Sequence, residues 1–220
     1  MEKQKLHIIY FHGMPCAGKD TQADKLLNQS EKPVKISTGE IFRDAIKQTG
    51  QYAKYYSYIE EDKETVFNGG LIQDKNIIEV VRLEIKQVIN EGKRTIIFTG
   101  FPRTSEQSSR FDKIVSRLSN EYHIDEKNVY LKIDGGTAIK RSVKRADDAE
   151  KFGSDIRKED DPKKFGKRIV EFKEKTLLMI EKLKEKGRLI TIDGTQEIKN
   201  VAQEINVHLE GFKPGKERLY

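Results

Sequence analysis

The stretch His7–Thr21, HIIYFHGMPCAGKDT, decides the fold of this chain. Its apolar run Ile8–Phe11 is typical of a buried strand, Gly13-x4-Gly18-Lys19 is typical of a phosphate-binding loop, and a helical pattern follows from Thr21. In the order strand, glycine loop, helix, backbone N–H groups turn inward at the helix N-terminus, where they can surround a phosphate. The lysine adds a flexible point charge that can follow a phosphoryl group. The sequence therefore predicts a site for a phosphorylated ligand.

The loop departs from its usual pattern at one position. The residue after the lysine is ordinarily Ser or Thr, whose hydroxyl binds Mg²⁺ in P-loop proteins. Here that residue is Asp20, and a hydroxyl follows only at Thr21. A carboxylate in place of a hydroxyl changes the charge beside the expected phosphate.

Length and composition favour one domain in a reducing compartment. The 220 residues are 35% hydrophobic and 35% charged, enough for one core in one large domain or a core domain with small insertions. No apolar stretch approaches the roughly 20 residues that span a bilayer, and no apolar signal region opens the chain. The single cysteine, Cys16, excludes an intramolecular disulfide and a four-cysteine zinc site. We expect a cytoplasmic protein without a membrane partner.

The charge distribution favours a small anionic ligand. The formal net charge is +6, from 42 basic and 36 acidic residues, and the bases are scattered among the acids rather than massed in one block. A pocket for a polyanionic small molecule explains this excess more economically than a nucleic-acid surface does. We expect small-molecule partners, no nucleic acid, and a monomer.

The rest of the chain predicts an α/β fold with a central five-stranded parallel sheet between helical layers, because short apolar runs alternate with amphipathic segments. The predicted strands are Leu6–Phe11, Val34–Ile36, Thr95–Thr99, Val129–Ile133 and Leu189–Ile192. The predicted helices are Thr21–Gln29, Gly39–Gln48, Lys75–Asn90, Ser105–Ser119, Thr137–Arg145, Pro162–Lys186 and Gln196–Glu210.

Two polar stretches do not fit the sheet-and-helix pattern. Thr49–Gly70 contains four tyrosines and an acidic patch, and Ala146–Ile156 lies between arginines. Each is either a segment that moves over a ligand or an ordinary surface loop. The C-terminal stretch Gly211–Tyr220 is expected to fray.

Further motifs follow the predicted strands. Ile36–Arg43 follows the second strand, and Gly100–Thr104 with Gln107 follows the third. Arg141 and Arg145 lie four residues apart, on one face of a helix. Two more arginines, Arg157 and Arg168, lie eleven residues apart.

Together these motifs make the sequence similar to the adenylate kinase branch of the nucleoside monophosphate kinases, over about Leu6–Leu209. The glycine loop, the Ser-Thr-Gly pattern with its following arginine, the Gly-Phe-Pro-Arg-Thr pattern with its glutamine, and the paired arginines each match that family. The resemblance implies a P-loop three-layer sandwich in a single domain, residues 1–210. It also implies a helical monophosphate-binding insertion at 38–73, a short lid at 142–157 and a flexible tail at 211–220.

The resemblance further implies the reversible reaction of ATP with a nucleoside monophosphate to give two diphosphates, with Mg²⁺. It assigns ATP binding to Gly13, Ala17, Gly18, Lys19, Asp20, Thr21 and Arg141. It assigns monophosphate binding to Thr38, Gly39, Arg43, Leu71, Ile72, Gly100, Arg103 and Gln107. The implied catalytic residues are Lys19, Arg103, Arg145, Arg157 and Arg168. Transfer between two anions needs this kind of charge compensation and in-line positioning.

The acceptor is expected to be AMP. In the adenylate branch Thr38 and Gln107 read the adenine edge, whereas the uridylate and cytidylate branch usually has asparagine at the positions of Thr104 and Gln107. A kinase for CMP, UMP or another monophosphate, a nucleotide-binding module that has lost catalysis, and a kinase of a small metabolite remain as alternatives.

Two departures from the family pattern form a pair. Family members usually have glycine at position 20 and aspartate at position 99, where the aspartate orients water on Mg²⁺. This chain has Asp20 and Thr99 instead. We hypothesise that Asp20 supplies the carboxylate near the metal, directly or through water. Against this, a carboxylate beside a triphosphate repels it unless Mg²⁺ intervenes.

Overall fold

The computed structural model describes residues 3–30, 32–152 and 161–210. Five parallel strands form one sheet in the order β2-β3-β1-β4-β5. The strands are β1 (Gln4–His12), β2 (Pro33–Ser37), β3 (Thr95–Thr99), β4 (Tyr122–Lys132) and β5 (Leu189–Asp193). The predicted five-stranded parallel sheet is therefore confirmed.

The central strand β1 supplies the core on both faces of the sheet. Leu6, Ile8 and Tyr10 join one buried cluster, and Ile9 and Phe11 join the other. Successive side chains of a strand point to opposite faces. A strand that is buried on both sides must therefore be apolar throughout, which is the pattern of the opening stretch.

Helices cover both faces of the sheet. The eight longer helices are α1 (Lys19–Leu27), α2 (Thr38–Lys47), α5 (Asp74–Asn90), α6 (Ser105–Leu118), α7 (Gly135–Lys151), α8 (Pro162–Glu171), α9 (Leu177–Glu185) and α10 (Ile198–His208). Helices α1 and α7 to α10 contribute to one core cluster, and α2, α5 and α6 contribute to the other. The result is the expected three-layer α/β sandwich.

Strand β4 is longer than the prediction Val129–Ile133, and starts at Tyr122. Its first half pairs with β1 alone, because β5 pairs only with Asn128–Lys132. One edge of that half therefore faces away from the sheet, and the polar sequence of residues 122–127 is tolerated there. The search for continuous apolar runs missed this half of the strand for that reason.

The predicted helix Pro162–Lys186 is divided into two. Between α8 and α9 the chain forms a π-helical stretch, Phe172–Thr176, in which Phe172 and Thr176 are buried. The sequence predicted one continuous helix, because the amphipathic pattern of a helix with one wider turn is the same as that of a regular helix. Such turns occur frequently at functional sites.

Helix α7 continues past the predicted end at Arg145 to Lys151. Residues 146–151, about half of the polar stretch Ala146–Ile156, are therefore helical, so this half is not the ordinary surface loop that was one of its two interpretations. Its polar residues gave no apolar periodicity. The remainder of the expected lid, and the tail at 211–220, lie outside the described residues.

The tyrosine-rich stretch is built from short helical turns and joins the core. It contains 3₁₀ turns at Ala53–Tyr55 and Glu60–Asp62 and the helices α3 (Tyr56–Ile59) and α4 (Lys63–Phe67). Tyr52 and Tyr55 are buried in the cluster beneath α2 and α5, and the Tyr55 hydroxyl donates to Glu84 Oε2 at 2.6 Å. These two tyrosines have a structural role.

Within the described ranges, no helix has the length and apolar character required to cross a bilayer.

Candidate active site

The glycine loop lies where the sheet order reverses. Strand β1 has β3 and β2 on one side and β4 and β5 on the other. In open α/β sheets, ligands bind beyond the carboxyl ends of the strands at such a switch point. The loop from Gly13 follows the end of β1, and Gly100 follows the end of β3, so both motifs lie at this edge.

The loop backbone needs residues without a large side chain. Gly13 has a φ of 148°, and a Cβ there would lie 2.7 Å from the Leu131 carbonyl oxygen. Gly18, with a φ of 93°, is the N-cap of α1, so the first turn of the helix opens toward the loop. Cys16 adopts a φ of 62°, which costs roughly 1–2 kcal/mol for an L-residue. The chain therefore keeps the loop conformation despite its cysteine.

The Lys19 side chain folds back over the loop. Its Nζ donates to the carbonyl oxygens of Gly13 at 2.9 Å and Met14 at 2.7 Å. Burial lowers the pKa of Lys19 to about 8, with Arg103 and Arg168 acting in the same direction and Asp20 opposing them. The lysine is therefore held within electrostatic reach of two of the predicted catalytic arginines.

The two positions that depart from the family pattern touch each other. The Thr99 hydroxyl donates to Asp20 Oδ1 at 2.6 Å, which joins the end of β3 to the first turn of α1. In the described ranges, no group of three or more His, Cys, Asp or Glu side chains is arranged to hold a metal ion. A carboxylate and a hydroxyl are nevertheless suitable for Mg²⁺, which prefers oxygen ligands and usually keeps several waters and substrate phosphates.

One cleft, here called the loop cleft, lies over the glycine loop and encloses about 520 Å³, part of it open to solvent. Its walls include Gly13 and Lys19 from the loop, His12 from β1, and Phe172 and Thr176 from the π-helical stretch. The unexpected turn between α8 and α9 thus forms one wall of the cleft.

A second cleft, here called the α2 cleft, encloses about 570 Å³, and part of this volume is also open to solvent. Its lining includes all eight residues predicted to bind a monophosphate, namely Thr38, Gly39, Arg43, Leu71, Ile72, Gly100, Arg103 and Gln107. These residues come from three separate parts of the sequence, 38–43, 71–72 and 100–107. The tertiary structure brings the whole predicted set together.

The α2 cleft carries positive charge that favours an anion. Helix α2 begins at Thr38 with Ser37 as its N-cap, so its positive end faces the cleft. The Arg43 guanidinium folds back over this end, since its Nη1 lies 3.2 Å from where a Cβ on Gly39 would be. A helix N-terminus beside an arginine favours a phosphate group.

The loop cleft and the α2 cleft meet at two arginines. Arg103 and Arg168 line both clefts, as do Gly70, Leu71 and Gly100. Arg103 Nε donates to the Gly100 carbonyl oxygen at 2.6 Å, and that oxygen also accepts from the Thr38 hydroxyl at 2.8 Å. One of the shared arginines is therefore held in place by the end of β3.

Gln107 is buried and bonded at both ends of its amide. Its Oε1 accepts from the Arg103 backbone N–H at 2.7 Å, and its Nε2 donates to Asp74 Oδ1 at 2.8 Å. The other carboxylate oxygen of Asp74 accepts from the Thr104 hydroxyl at 2.9 Å. Sequence reasoning missed Asp74, because it belongs to none of the motifs and lies 33 residues before Gln107 in the chain.

The remaining predicted residues are less closely associated with the clefts. Arg141 donates to the carbonyl oxygens of Gly194 at 2.8 Å and Cys16 at 3.4 Å, so it lies against the glycine loop. Arg145, one turn further along α7, is partly buried and is not among the described residues that line either cleft. In the loop and the first turn of α1, Ala17 is buried and Thr21 is exposed. Arg157 lies outside the described residues.

Comparison with known proteins agrees with this geometry. The family profile described as Adenylate kinase matches residues 11–188. An adenylate kinase of Rhizobium meliloti is 30% identical over 197 residues, covering 90% of this chain and 96% of that protein. An adenylate kinase of Mesorhizobium japonicum is 32% identical, with 90% and 93% covered. A uridylate kinase of Schizosaccharomyces pombe is 28% identical, with 87% and 91% covered.

The glycine loop, the two adjoining clefts and these similarities over nearly the whole length lead to one assignment, and the chain belongs to the adenylate kinase family of nucleoside monophosphate kinases.

Proposed function

We propose that this protein transfers the γ-phosphoryl group of ATP to AMP, reversibly and with Mg²⁺, giving two molecules of ADP. The observation that carries the proposal is the junction of the two clefts at Arg103 and Arg168. A donor triphosphate over the glycine loop and an acceptor phosphate beside α2 would direct their reacting ends toward these arginines.

The glycine loop would hold the donor. Backbone N–H groups of Gly13, Ala17, Gly18, Asp20 and Thr21 would surround the β- and γ-phosphates. Lys19 would exchange its two carbonyl partners, Gly13 and Met14, for phosphate oxygens. Arg141 would stack on the ATP base, since it lies against the same loop.

The α2 cleft would hold the acceptor. Arg43 and Arg103 bind the AMP phosphate beside the N-terminus of α2, through the planar two-pronged contacts that guanidinium groups make with oxyanions. Thr38 and Gln107 face the base, and Leu71 and Ile72 enclose it. Gly39 and Gly100 leave room for the Arg43 and Arg103 side chains.

The rate acceleration would come from charge compensation. Phosphoryl transfer gathers negative charge between donor and acceptor, and positioned cations stabilise it there. Arg103 and Arg168 line both clefts, and Lys19 lines the loop cleft within electrostatic reach of these two arginines. We assign Arg145 and Arg157 to the same task, in a lid formed by residues 142–157 that closes once both substrates are bound.

Asp20 is our candidate for the metal. When bound, Mg²⁺ would neutralise the phosphate oxygens and orient them for transfer. Asp20 would hold the ion directly or through water, with the Thr99 hydroxyl fixing the carboxylate. We further propose that the protein acts as a cytoplasmic monomer, with residues 38–73 forming the acceptor-binding insertion.

The similarity to a uridylate kinase supports a second candidate function, transfer to UMP or CMP. One assay separates the candidates. The purified protein is given ATP and Mg²⁺ with AMP, GMP, CMP or UMP in turn, and each diphosphate is measured by chromatography.

We expect ADP from AMP at the highest rate, and a Lys19→Met variant that is slower by about 100-fold or more. Diphosphate from none of the four acceptors would exclude the kinase function. A higher rate with UMP or CMP would exclude only AMP as the preferred acceptor.

A further inference from the structure

The Gln107 amide can take only one orientation in this structure. Its oxygen accepts from a backbone N–H, which can only donate, and its nitrogen donates to the Asp74 carboxylate, which can only accept when ionised. Exchanging the amide oxygen and nitrogen would break both bonds and leave buried polar groups opposed to like groups. The orientation is therefore set by its two partners.

A fixed amide offers a ligand one fixed pattern. A glutamine amide has two N–H donors and two acceptor lone pairs, and the protein uses one of each. One donor and one lone pair remain at Gln107, which lines the α2 cleft. A base edge that pairs with them must place an acceptor opposite the nitrogen and a donor opposite the oxygen.

The bases divide into two classes by this criterion. Adenine presents the ring acceptor N1 beside an exocyclic amino group, and cytosine presents N3 beside its amino group. Guanine and uracil present a ring N–H beside a carbonyl oxygen, which is the reverse order. An amide that was free to turn over would pair with either class.

We propose that Asp74 is a positioning residue that selects the acceptor base. By holding Gln107 in one orientation, it makes the α2 cleft accept amino bases, adenine or cytosine, and reject keto bases, guanine or uracil. This inference rests on the proposed function, because it requires a nucleotide base in the α2 cleft.

A purely structural role for Asp74 predicts different behaviour. Asp74 is the first residue of α5, where a carboxylate stabilises the helix N-terminus. If Asp74 only stabilised the helix, its removal would lower kcat/KM equally for every acceptor. Selection by the amide predicts instead a change in the ratio between acceptors.

The test compares two substitutions at Asp74 in the wild-type and Gln107→Ala backgrounds. In Asp74→Asn, the side-chain oxygen can still accept from Gln107 while its amide donates to Thr104, so the orientation is kept. In Asp74→Leu, the bond to Gln107 is lost at similar volume. The measured quantity is kcat/KM for AMP divided by kcat/KM for GMP and, separately, for UMP.

We expect Asp74→Leu to lower both ratios by about tenfold or more, equivalent to about 1.4 kcal/mol of discrimination. The KM for ATP should change less than twofold, and Asp74→Asn should keep both ratios within about threefold of wild type. In the Gln107→Ala background, where the reading group is absent, Asp74→Leu should leave the ratios unchanged. Asp74→Ala replaces the leucine variant if that variant does not fold.

Asp62 provides a matched control. This carboxylate is 1% exposed and accepts from the Gln73 backbone N–H and the Asn76 amide near the start of α5, and the Gln107 amide is not among those partners. Asp62→Leu should lower the melting temperature without changing the acceptor ratios.

Unchanged ratios in Asp74→Leu would overturn the inference. An equal fall in kcat/KM for all acceptors, which also leaves the ratios unchanged, would overturn it too. Wild-type preference for GMP or UMP over AMP would also overturn it, while leaving the transfer reaction intact. Only a wild-type protein that phosphorylates none of the acceptors would overturn the proposed function itself.

Discussion

At the scale of single residues, Asp20 and Thr99 are the pair that distinguishes this chain. Their side chains meet at 2.6 Å, so the carboxylate at position 20 and a carboxylate at position 99 would occupy neighbouring space. Compared with the family pattern of glycine at position 20 and aspartate at position 99, this chain therefore keeps a carboxylate in the same region and shifts it a short distance. This geometry supports the proposal that Asp20 holds the Mg²⁺ ion.

We predict that Asp20→Gly raises the Mg²⁺ concentration for half-maximal activity by about tenfold, the order seen when one group around a bound metal is removed. The combined variant Asp20→Gly/Thr99→Asp should return this concentration toward wild type. In the absence of Mg²⁺, Asp20→Gly should bind ATP more tightly than wild type, because a carboxylate beside the triphosphate is gone. Titrations of activity with Mg²⁺ and calorimetry of ATP binding measure these effects.

Asp24→Gly is the matched control for this prediction. Asp24 lies one turn further along α1, is exposed, and pairs with Lys35. The substitution Asp24→Gly removes the same charge from the same helix as Asp20→Gly does. Because Asp24 is not part of the proposed metal site, the Asp24→Gly variant should need the same Mg²⁺ concentration as wild type. An equal response of the two variants would exclude a specific role for Asp20.

At the scale of elements, the end of β1 is tied to β4 by a buried polar pair. His12 Nε2 lies 2.9 Å from Asn128 Oδ1, and both residues are buried. Burial lowers the pKa of His12 to about 4, with the hydrogen bond to Asn128 opposing this shift and the Lys19 charge acting in the same direction as burial. The imidazole is therefore neutral at physiological pH, and its contribution to the site is packing and hydrogen bonding.

This pKa predicts a loss of stability in acid. The unfolded chain protonates His12 near pH 6.5 and the folded protein only near pH 4, so the unfolded state binds more protons between these values. The free energy of unfolding should fall as the pH drops through this interval, by up to about 3 kcal/mol from this group. Urea denaturation at pH 7.5 and pH 4.5 measures the loss.

A His12→Gln variant isolates the contribution of His12, because glutamine can keep a bond to Asn128 without titrating. Its loss of stability between the two pH values should be smaller than that of wild type by about 2 kcal/mol. Equal losses in the two proteins would mean that carboxylates elsewhere account for the whole effect.

The elements also show where sequence reasoning is limited. The strand β3 was predicted with its observed ends, because its apolar centre Ile96–Phe98 lies between two β-branched threonines and the whole strand is buried. The first half of β4 was missed, because its pairing on one edge only removes the requirement for apolar residues. The π-helical stretch was missed because its effect on the chain is a local change of turn width, with the apolar spacing on either side retained.

At the scale of the whole molecule, α8 connects the two clefts. A Cβ on Gly69 would lie 2.7 Å from the Lys164 carbonyl oxygen, so α8 packs closely on the segment that leads into the α2 cleft. Arg168 projects from α8 with its guanidinium 5.7 Å from the centre of the Phe165 ring. Since this arginine lines both clefts, its contribution should be greatest when both are occupied.

We therefore predict that Arg168→Ala lowers kcat by about 1,000-fold, the lower end of the range for an arginine that stabilises phosphoryl transfer. Binding of ATP alone or AMP alone should weaken by less than tenfold. A bisubstrate ligand with two adenosines joined by five phosphates, which spans both clefts, should lose much more affinity than either substrate. Single-turnover kinetics and calorimetry measure these quantities.

Arg110→Ala serves as the comparison, because Arg110 is an exposed residue of α6 paired with Glu106. Its kinetics and affinities should match those of wild type. If Arg168→Ala weakened the binding of single substrates as much as that of the bisubstrate ligand, the role at the junction would be excluded.

The sequence by itself determined the parallel sheet and its glycine loop, because each depends on local chemistry, and its resemblance to a known family implied which residues line the α2 cleft. A strand buried on both faces must be apolar, a phosphate loop must contain glycines, and motifs at the ends of parallel strands must meet at one edge of the sheet. The tertiary structure alone decided which side chains hold those motifs in place. The contacts of Asp74 with Gln107 and of Thr99 with Asp20 join residues 33 and 79 positions apart, and only the packing of α5 on α6 and of α1 beside β3 brings them together.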